Sequence, residues 1–149
     1  MGTHYQGGSD EVRALDAFIK LSRAADSVAS RVSSSIVQSR LTESQFGVLE
    51  ALYHLGSMHQ CDLGKKLLRT SGNMTLVVDN LEKRGLVRRE PGVEDRRYNS
   101  VHLTDAGREL IARVLPGHVY EIVREMGVLT PREQEELGRL CRKLGRGLA

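Results

Sequence analysis

Aromatic side chains are scarce in this 149-residue sequence: they make up 4% of it, and tryptophan is absent. That scarcity argues against a β-sandwich or a large aromatic pocket, and it favours a helical fold with a core of leucine and valine. Long apolar runs are also missing, because no stretch approaches the roughly 18 apolar residues that a membrane-spanning helix needs. Residues 1–9 lack the basic-then-apolar order of a secretory signal, and their glycines predict a flexible tail. We therefore expect a cytoplasmic protein with no membrane partner.

Catalytic and metal-binding motifs are absent as well. The two cysteines, Cys61 and Cys141, form neither a metal-binding pattern nor a disulfide framework. The five histidines show no H-x-x-x-H spacing. The sequence contains no glycine-rich phosphate loop and no nucleophile elbow. We therefore predict that the protein is not an enzyme and that it carries no cofactor and no metal ion.

Positive charge is present and is unevenly distributed. The formal net charge is +3, from 22 Lys and Arg against 19 Asp and Glu. Basic residues concentrate between Lys65 and Arg97. The length and the hydrophobic content of 40% suffice for one domain with a buried core. A basic region in one part of a globular chain points to a polyanionic partner.

Helical periodicity dominates the chain. Apolar spacing predicts six helices, at about 10–37, 42–56, 61–68, 71–84, 104–126 and 130–148. Thr42 and Gln45 form a capping box at the start of the second helix, and Thr130 and Glu133 form another at the start of the last. Gly56 is expected to end the second helix in a left-handed conformation. The serine-rich second half of the first helix allows either close helix packing or fraying.

A β-hairpin is predicted between the fourth and fifth helices. Two short β runs, at 86–89 and 100–103, flank a charged loop at 90–99. Before them, a turn that ends at Ser71 joins two helices, and Ser71 is a suitable N-cap for the second of the two. The order helix, turn, helix, hairpin predicts a mainly α fold with a winged helix-turn-helix, which is an arrangement that reads duplex DNA.

The helix at 71–84 is the candidate recognition helix, because the second helix of such a pair fits the major groove. Asn73 and Asn80 are suited to adenine or phosphate, and Thr75 to base or backbone. Leu76 either contacts a thymine methyl group or is partly buried under the hairpin. Ser71 and the N–H groups of the first turn are suited to phosphate. The outward face predicted for this helix comprises Gly72, Asn73, Thr75, Leu76, Asp79 and Asn80.

Basic side chains flank this helix on both sides in the sequence. Their joint position favours neutralisation of DNA phosphates, although a solvated surface is the ordinary role of any single one. Asp95 is suited to pair with Arg97 and to orient its guanidinium group. The basic residues are Lys65, Lys66 and Arg69 near the turn, and Arg88, Arg89, Arg96 and Arg97 on the hairpin.

Three segments of the predicted DNA-binding region carry a recognisable pattern: 81–88 (LEKRGLVR), 95–97 (DRR) and 101–107 (VHLTDAG). On these segments the chain resembles the MarR family of bacterial regulators, and the resemblance covers about 10–144. It implies that Arg97 is the wing arginine that enters the minor groove, with Asp95 as its companion. Many relatives carry Thr-Arg in the recognition helix where this sequence has Thr75-Leu76, so their operator sequences cannot be transferred.

The resemblance also implies a homodimer. In the family the first helix and the last two helices join two subunits, which would assign 10–40 and 116–149 to dimerisation and 41–115 to DNA binding. The recognition helices of a dimer read half-sites about 34 Å apart on a near-palindrome.

Members of the family often respond to small aromatic acids or to oxidants, and their pocket lies between the dimerisation and DNA-binding lobes. Here Cys61 is the candidate redox residue, because a helix N-terminus and His59 favour a thiolate while Asp62 opposes it. A passive cysteine is the alternative, and Cys141, on an apolar stripe, is expected to be buried. The candidate ligand-binding residues, which are equally ordinary core residues, are Phe46, Leu49, Tyr53, Met58 and His59.

These patterns predict a dimeric, sequence-specific DNA-binding regulator. We expect a repressor that an aromatic ligand or an oxidant releases from a pseudo-palindromic operator. The alternative is a winged-helix adaptor that binds another protein and has lost DNA binding. The intact Asp95-Arg96-Arg97 sequence counts against the adaptor.

Overall fold

The computed structural model describes residues 2–67 and 71–147. The chain divides into two compact units. The central unit is Ser33–Val119, and the terminal unit combines Met1–Val32 with Tyr120–Ala149. Within the described ranges, no helix combines the length and the apolarity needed to cross a membrane.

The elements are mostly helical, with one small antiparallel sheet in the central unit, which confirms the predicted winged helix-turn-helix class. In chain order the elements are α1 (Ser9–Arg31), α2 (Ser34–Gln38), α3 (Glu43–Leu55), β1 (Met58–His59), α4 (Gln60–Lys66), α5 (Ser71–Lys83), β2 (Val87–Pro91), β3 (Asn99–Leu103), α6 (Asp105–Met126) and α7 (Pro131–Gly145).

The sheet is antiparallel, with the strand order β1-β3-β2. Strand β2 pairs with β3 over five positions, from Val87 opposite Leu103 to Pro91 opposite Asn99. We call β2, β3 and the connecting residues 92–98 the wing. Strand β1 pairs with β3 as well, with Met58 opposite Val101. Sequence reasoning did not predict β1, because two residues are too few to form an alternating pattern.

The core of the central unit is built from aliphatic side chains of its helices and sheet, as the low aromatic content predicts. The stripe predicted on α5 is buried, with Val78 and Leu81 both at 0% exposure. Burial of this stripe turns the opposite face of α5 toward solvent. The largest fully buried side chains are Leu49, Leu52, Leu63, Met74, Leu81, Ile111, Val48, Val78, Val87 and Val101.

The capping predictions are confirmed at two helix starts. Thr42 Oγ1 accepts from Gln45 N at 3.1 Å, and Gln45 Oε1 accepts from Thr42 N at 3.1 Å. Thr130 and Glu133 form the same box at the start of α7. Gly56 ends α3 with a φ of +81°, but its ψ of −172° is extended and not left-handed helical as predicted.

The single first helix predicted over 10–37 is wrong. Helix α1 ends at Arg31, and Val32 follows with a φ of −98° and a ψ of 16°. The short helix α2 begins two residues later, at Ser34. The break falls at the serine-rich segment, where serine side chains compete with the helical hydrogen bonds of the backbone.

The turn before α5 lies partly outside the described residues, since 68–70, and with them Arg69, are not covered. Helix α4 ends at Lys66, with Leu67 as its C-cap. Helix α5 is described from Ser71 to Lys83, and the prediction that Ser71 caps it concerns a helix start that adjoins the residues outside the described ranges.

In the terminal unit, neither α1 nor α7 contains a buried residue. Cys141 is exposed, so the prediction that it is buried is wrong for a single chain. An ion pair joins the last turn of α1 to the last turn of α6, with Arg31 Nε 2.6 Å from Glu125 Oε2. Hydrogen bonding to Arg31 lowers the pKa of Glu125.

Gly107 allows α6 to approach the turn between α5 and β2. A Cβ atom there would lie 2.0 Å from the carbonyl oxygen of Leu86, which is far inside van der Waals contact. That carbonyl accepts from the N–H of Thr104, and Thr104 Oγ1 accepts from the N–H of Gly107 at 3.1 Å. The Leu-Thr-x-x-Gly step of the sequence is therefore a site of close backbone packing.

We predict that Gly107→Ala destabilises the protein by about 1–3 kcal/mol or more, because the new methyl group must displace backbone and not a flexible side chain. Urea unfolding at matched protein concentration measures the change. Gly138→Ala in α7 is the control, since its Cβ would meet nothing within 4 Å. That control should gain roughly 0.5–1 kcal/mol from helix propensity. Equal effects of the two substitutions would contradict the close packing at Gly107.

Candidate nucleic-acid interface

The outward face of α5 carries short polar side chains and one leucine. Asn73, Thr75 and Asn80 are exposed on it. Leu76 is 59% exposed, which excludes the burial under the hairpin that the sequence left open. Ser71 and Gly72 form the start of the helix. A helix with this face is suited to a polar groove such as the major groove of DNA.

The wing holds Arg97 in one orientation through Asp95. Oδ2 of Asp95 accepts from Arg97 Nη2 at 2.7 Å and from Nε at 3.1 Å, and Oδ1 accepts from the backbone N–H of Arg97 at 3.0 Å. Hydrogen bonding to Arg97 lowers the pKa of the Asp95 carboxyl group, and the same contact raises the pKa of Arg97. The side chain of Arg97 nevertheless remains 85% exposed. The pairing that the sequence predicts between these two residues is present.

Other basic residues of the central unit are also exposed. Arg88 Nη2 lies 3.2 Å from Glu90 Oε1, and the side chain of Arg88 is 54% exposed. Arg96 is exposed on the wing, and Lys65 and Lys66 are exposed on α4. These positions are accessible to phosphate, although Arg88 shares its charge with Glu90.

Arg89 differs from its neighbours on the wing. Its side chain is only 17% exposed, and its Nη1 lies 2.6 Å from Asp79 Oδ1 and 3.3 Å from Glu82 Oε1. The sequence predicts that Arg89 contacts phosphate. In the structure, however, the two carboxylates already neutralise its guanidinium group. Gln60, which accepts from Arg89 Nε at 3.0 Å, carries no sequence signal for such a role.

A cavity of about 330 Å³ is lined by residues at the start of α4 and by residues of the wing. Its lining includes the exposed thiol of Cys61 together with His59, Lys65 and Arg97. Cys61 Sγ lies 4.0 Å from Asp62 Oδ1. The structure therefore places the candidate redox residue beside the candidate wing arginine.

The five candidate ligand-binding residues have different surroundings in the central unit. Phe46 is 4% exposed and Leu49 is 0% exposed, both within the core. Tyr53 and Met58 are half-buried against that core. His59 is exposed and lines the cavity beside Cys61. Their role in ligand binding stays a prediction.

Comparison with known proteins identifies the family of the chain. The sequence profile of the MarR family matches residues 41–98, which run from the start of α3 to the wing. The transcriptional regulator MhqR of Bacillus subtilis is 35% identical over 133 residues, which cover 89% of this chain and 92% of MhqR. The chain belongs to the MarR family. It is therefore related to transcriptional regulators over nearly its whole length.

Solved structures of MarR regulators agree with this fold. Sco3205 of Streptomyces coelicolor, solved in complex with DNA, is 26% identical, with a TM-score of 0.85 over 99% of this chain and 93% of its own. BpsR of Bordetella bronchiseptica, whose DNA binding is regulated by 6-hydroxynicotinic acid, is also 26% identical. Its TM-score is 0.79 over 97% of this chain and 98% of its own.

We predict that the pKa of Asp95 lies below the ordinary value of about 3.9 and returns toward it in Arg97→Ala. The pairing contributes to the order of the wing above the ordinary pKa and is lost as the pH falls through the lowered value. An NMR titration of the side-chain carboxyl carbons measures both values. Glu133 is the internal control, because Thr130 lowers its pKa independently of Arg97. An Asp95 titration that Arg97→Ala leaves unchanged would contradict the pairing.

Proposed function

We propose that this MarR-family regulator is a dimeric repressor that binds a pseudo-palindromic operator. Helix α5 enters the major groove, and Arg97 enters the adjacent minor groove. A small aromatic ligand or an oxidant releases the protein from DNA. The observation that carries the proposal is the exposed polar face of α5 in the same central unit as an arginine that Asp95 holds in an exposed position.

Base readout is assigned to four side chains of α5. Asn73 and Asn80 present amide groups that pair with adenine, and Thr75 presents a hydroxyl group to base or backbone. Leu76 contacts a thymine methyl group, because an apolar side chain that is 59% exposed on a polar face gains most from an apolar partner on the DNA.

Phosphate contacts complete the DNA interface. Lys65 and Arg69 bind phosphates beside the helix-turn-helix, and Arg88 and Arg96 bind them beside the wing. Ser71, Gly72 and the N–H groups of the first turn of α5 hold a phosphate at the positive end of the helix. These contacts position the protein, and the α5 side chains supply the sequence preference.

The dimer is supported by apolar side chains that the terminal unit leaves exposed. On α7, Leu140 is 48% exposed and Leu144 is 64% exposed, and on α1 Phe18 is 65% exposed. On the terminal part of α6, Val123 is 65% exposed. Exposed apolar side chains on three helices of a regulator of this family are suited to a second copy of the chain. Two-fold symmetry then gives two recognition helices for two half-sites.

Release from DNA is a shift between two forms of the protein that differ in affinity for the signal. An aromatic acid is supported by the similarity to BpsR, whose DNA binding is regulated by 6-hydroxynicotinic acid. An oxidant is supported by the exposed thiol of Cys61, which lines the same cavity as Arg97. Both signals stay open in the proposal.

The DNA-binding proposal predicts that Arg97→Ala weakens binding to the duplex upstream of the protein's own gene by roughly tenfold. The dependence of log affinity on log salt should fall by about 0.9, because one phosphate-neutralising charge is lost. Fluorescence anisotropy titrations at several salt concentrations measure both quantities. An unchanged slope would reject the role of Arg97, and no preference of the wild type over random DNA would favour the adaptor.

Leu76→Ala is the matched contrast in this titration. It removes an uncharged side chain from the same interface, so the salt slope should remain that of the wild type. Its loss should be concentrated on operators with thymine at the contacted position. Equal losses on all duplexes would reject base readout by Leu76.

The release proposal predicts a distinct pattern for each signal. If an oxidant is the signal, hydrogen peroxide should weaken DNA binding of the wild type and of Cys141→Ser, but not of Cys61→Ser, because Cys61 lines a cavity together with Arg97 of the wing. If an aromatic acid is the signal, 6-hydroxynicotinic acid should weaken all three proteins equally. The same anisotropy assay measures both, and insensitivity to both compounds would overturn regulated release by these classes.

A further inference from the structure

We infer that Arg89 is a positioning residue for DNA binding: it holds α5 in place against the wing and the start of α4. The inference rests on the proposed DNA-binding function and assigns a second, different role to a wing arginine. Arg89 itself contacts no DNA in this assignment. Its effect passes through the recognition helix.

Arg89 contacts α5 at three residues that lie on one face of the helix. Nη1 lies 2.6 Å from Asp79 Oδ1 and 3.3 Å from Glu82 Oε1, and Nη2 donates to the carbonyl oxygen of Thr75 at 3.2 Å. The backbone N–H of Arg89 donates to Glu82 Oε2 at 2.9 Å. Positions 75, 79 and 82 are spaced by four and three residues, so they share one helix face. The contacts therefore span two turns of the recognition helix.

Gln60, the first residue of α4, takes part in the same hydrogen-bond network. Gln60 Oε1 accepts from Arg89 Nε at 3.0 Å, and Gln60 Nε2 donates to Thr75 Oγ1 at 2.9 Å. One guanidinium group thus uses Nε, Nη1 and Nη2 to connect α4, α5 and β2. A planar group with donors in a fixed fork is needed for this arrangement, and a lysine ammonium group cannot reproduce it.

The charge and the burial of Arg89 separate it from the arginines that face solvent. Its side chain is 17% exposed, against 54% for Arg88 and 85% for Arg97. Successive residues of a strand point to opposite faces, so Arg88 and Arg89 project to different sides of β2. Two carboxylates already neutralise Arg89, which leaves it little charge to exchange for DNA counterions.

Directional contacts are needed here because the apolar packing of α5 is not directional. Burial of Val78 and Leu81 holds the helix against the core, and the hydrophobic driving force for that burial has no preferred direction. Hydrogen bonds weaken steeply with distance and angle, so the Arg89 network fixes the position of α5 relative to β2. That position decides whether the α5 face and Arg97 on the wing meet their grooves together.

The sign of the effect of Asp79→Asn tests the inference. Removal of a negative charge from a DNA-facing helix should strengthen DNA binding if electrostatics alone mattered. If Asp79 positions α5 through Arg89, binding should instead weaken, by about tenfold. Anisotropy titrations of wild type, Asp79→Asn and Glu82→Gln on the duplex selected by the wild type measure the change. Tighter binding by both variants would overturn the inference.

Arg89→Lys gives the second test, with Arg113→Lys as its charge-conserving control at an exposed position of α6 outside the proposed interface. A phosphate contact at Arg89 would tolerate lysine, which keeps the positive charge. A positioning role requires the fork, so Arg89→Lys should lose about tenfold in affinity with an unchanged salt slope, whereas Arg113→Lys should bind as the wild type does. Full binding by Arg89→Lys would overturn the inference. Thermal unfolding of each variant verifies that the protein measured is folded.

A measurement without DNA separates this inference from the proposed function. Hydrogen exchange of the α5 amides should become about tenfold faster in Arg89→Lys than in the wild type, and should not change in Arg113→Lys. Failure of the wild type to prefer any duplex would count against the proposed function alone. Unchanged α5 exchange in Arg89→Lys would count against the positioning role, whatever the DNA result.

Discussion

Burial of one apolar stripe of α5 is the constraint on which the exposed polar face of this helix depends. Met74, Val78 and Leu81 are removed from water in the core of the central unit, and the opposite face of the helix consequently meets solvent. Hydrophobic burial sets which face is presented to solvent, and it acts without directional contacts. The polar contacts of Arg89 with Asp79 and Thr75 add directional contacts between β2 and α5.

The arginines of the wing differ in exposure and in the carboxylates that they contact. Arg97 keeps its side chain in solvent while Asp95 restrains its guanidinium, so its charge remains available to a partner. Arg89 is largely covered and is neutralised by two carboxylates, so it acts inside the protein. Arg88 lies between these cases, exposed but close to Glu90. A count of basic residues therefore overestimates the positive charge that such a region leaves available to a polyanionic partner.

Several features were predictable from sequence because their causes are local. Thr42 and Gln45 cap α3 through contacts within one turn, and the stripe on α5 follows from helical spacing. The end of α1 at Arg31 was less accessible, since serine permits both continuation and interruption of a helix. Strand β1 exists only through its pairing with β3, which a window of neighbouring residues does not reveal.

The sequence by itself determined the fold class, helix α5 with its exposed Asn73, Thr75 and Asn80, and the Asp95–Arg97 pair, all of which arise from short-range periodicity, capping and spacing. Only the tertiary structure decided that Arg89 faces Asp79 and Glu82, that Cys61 shares a cavity with Arg97, and that Gly107 meets the Leu86 carbonyl. These contacts join segments that are distant in the chain. Side chains of the same type receive their roles from the neighbours that folding brings to them.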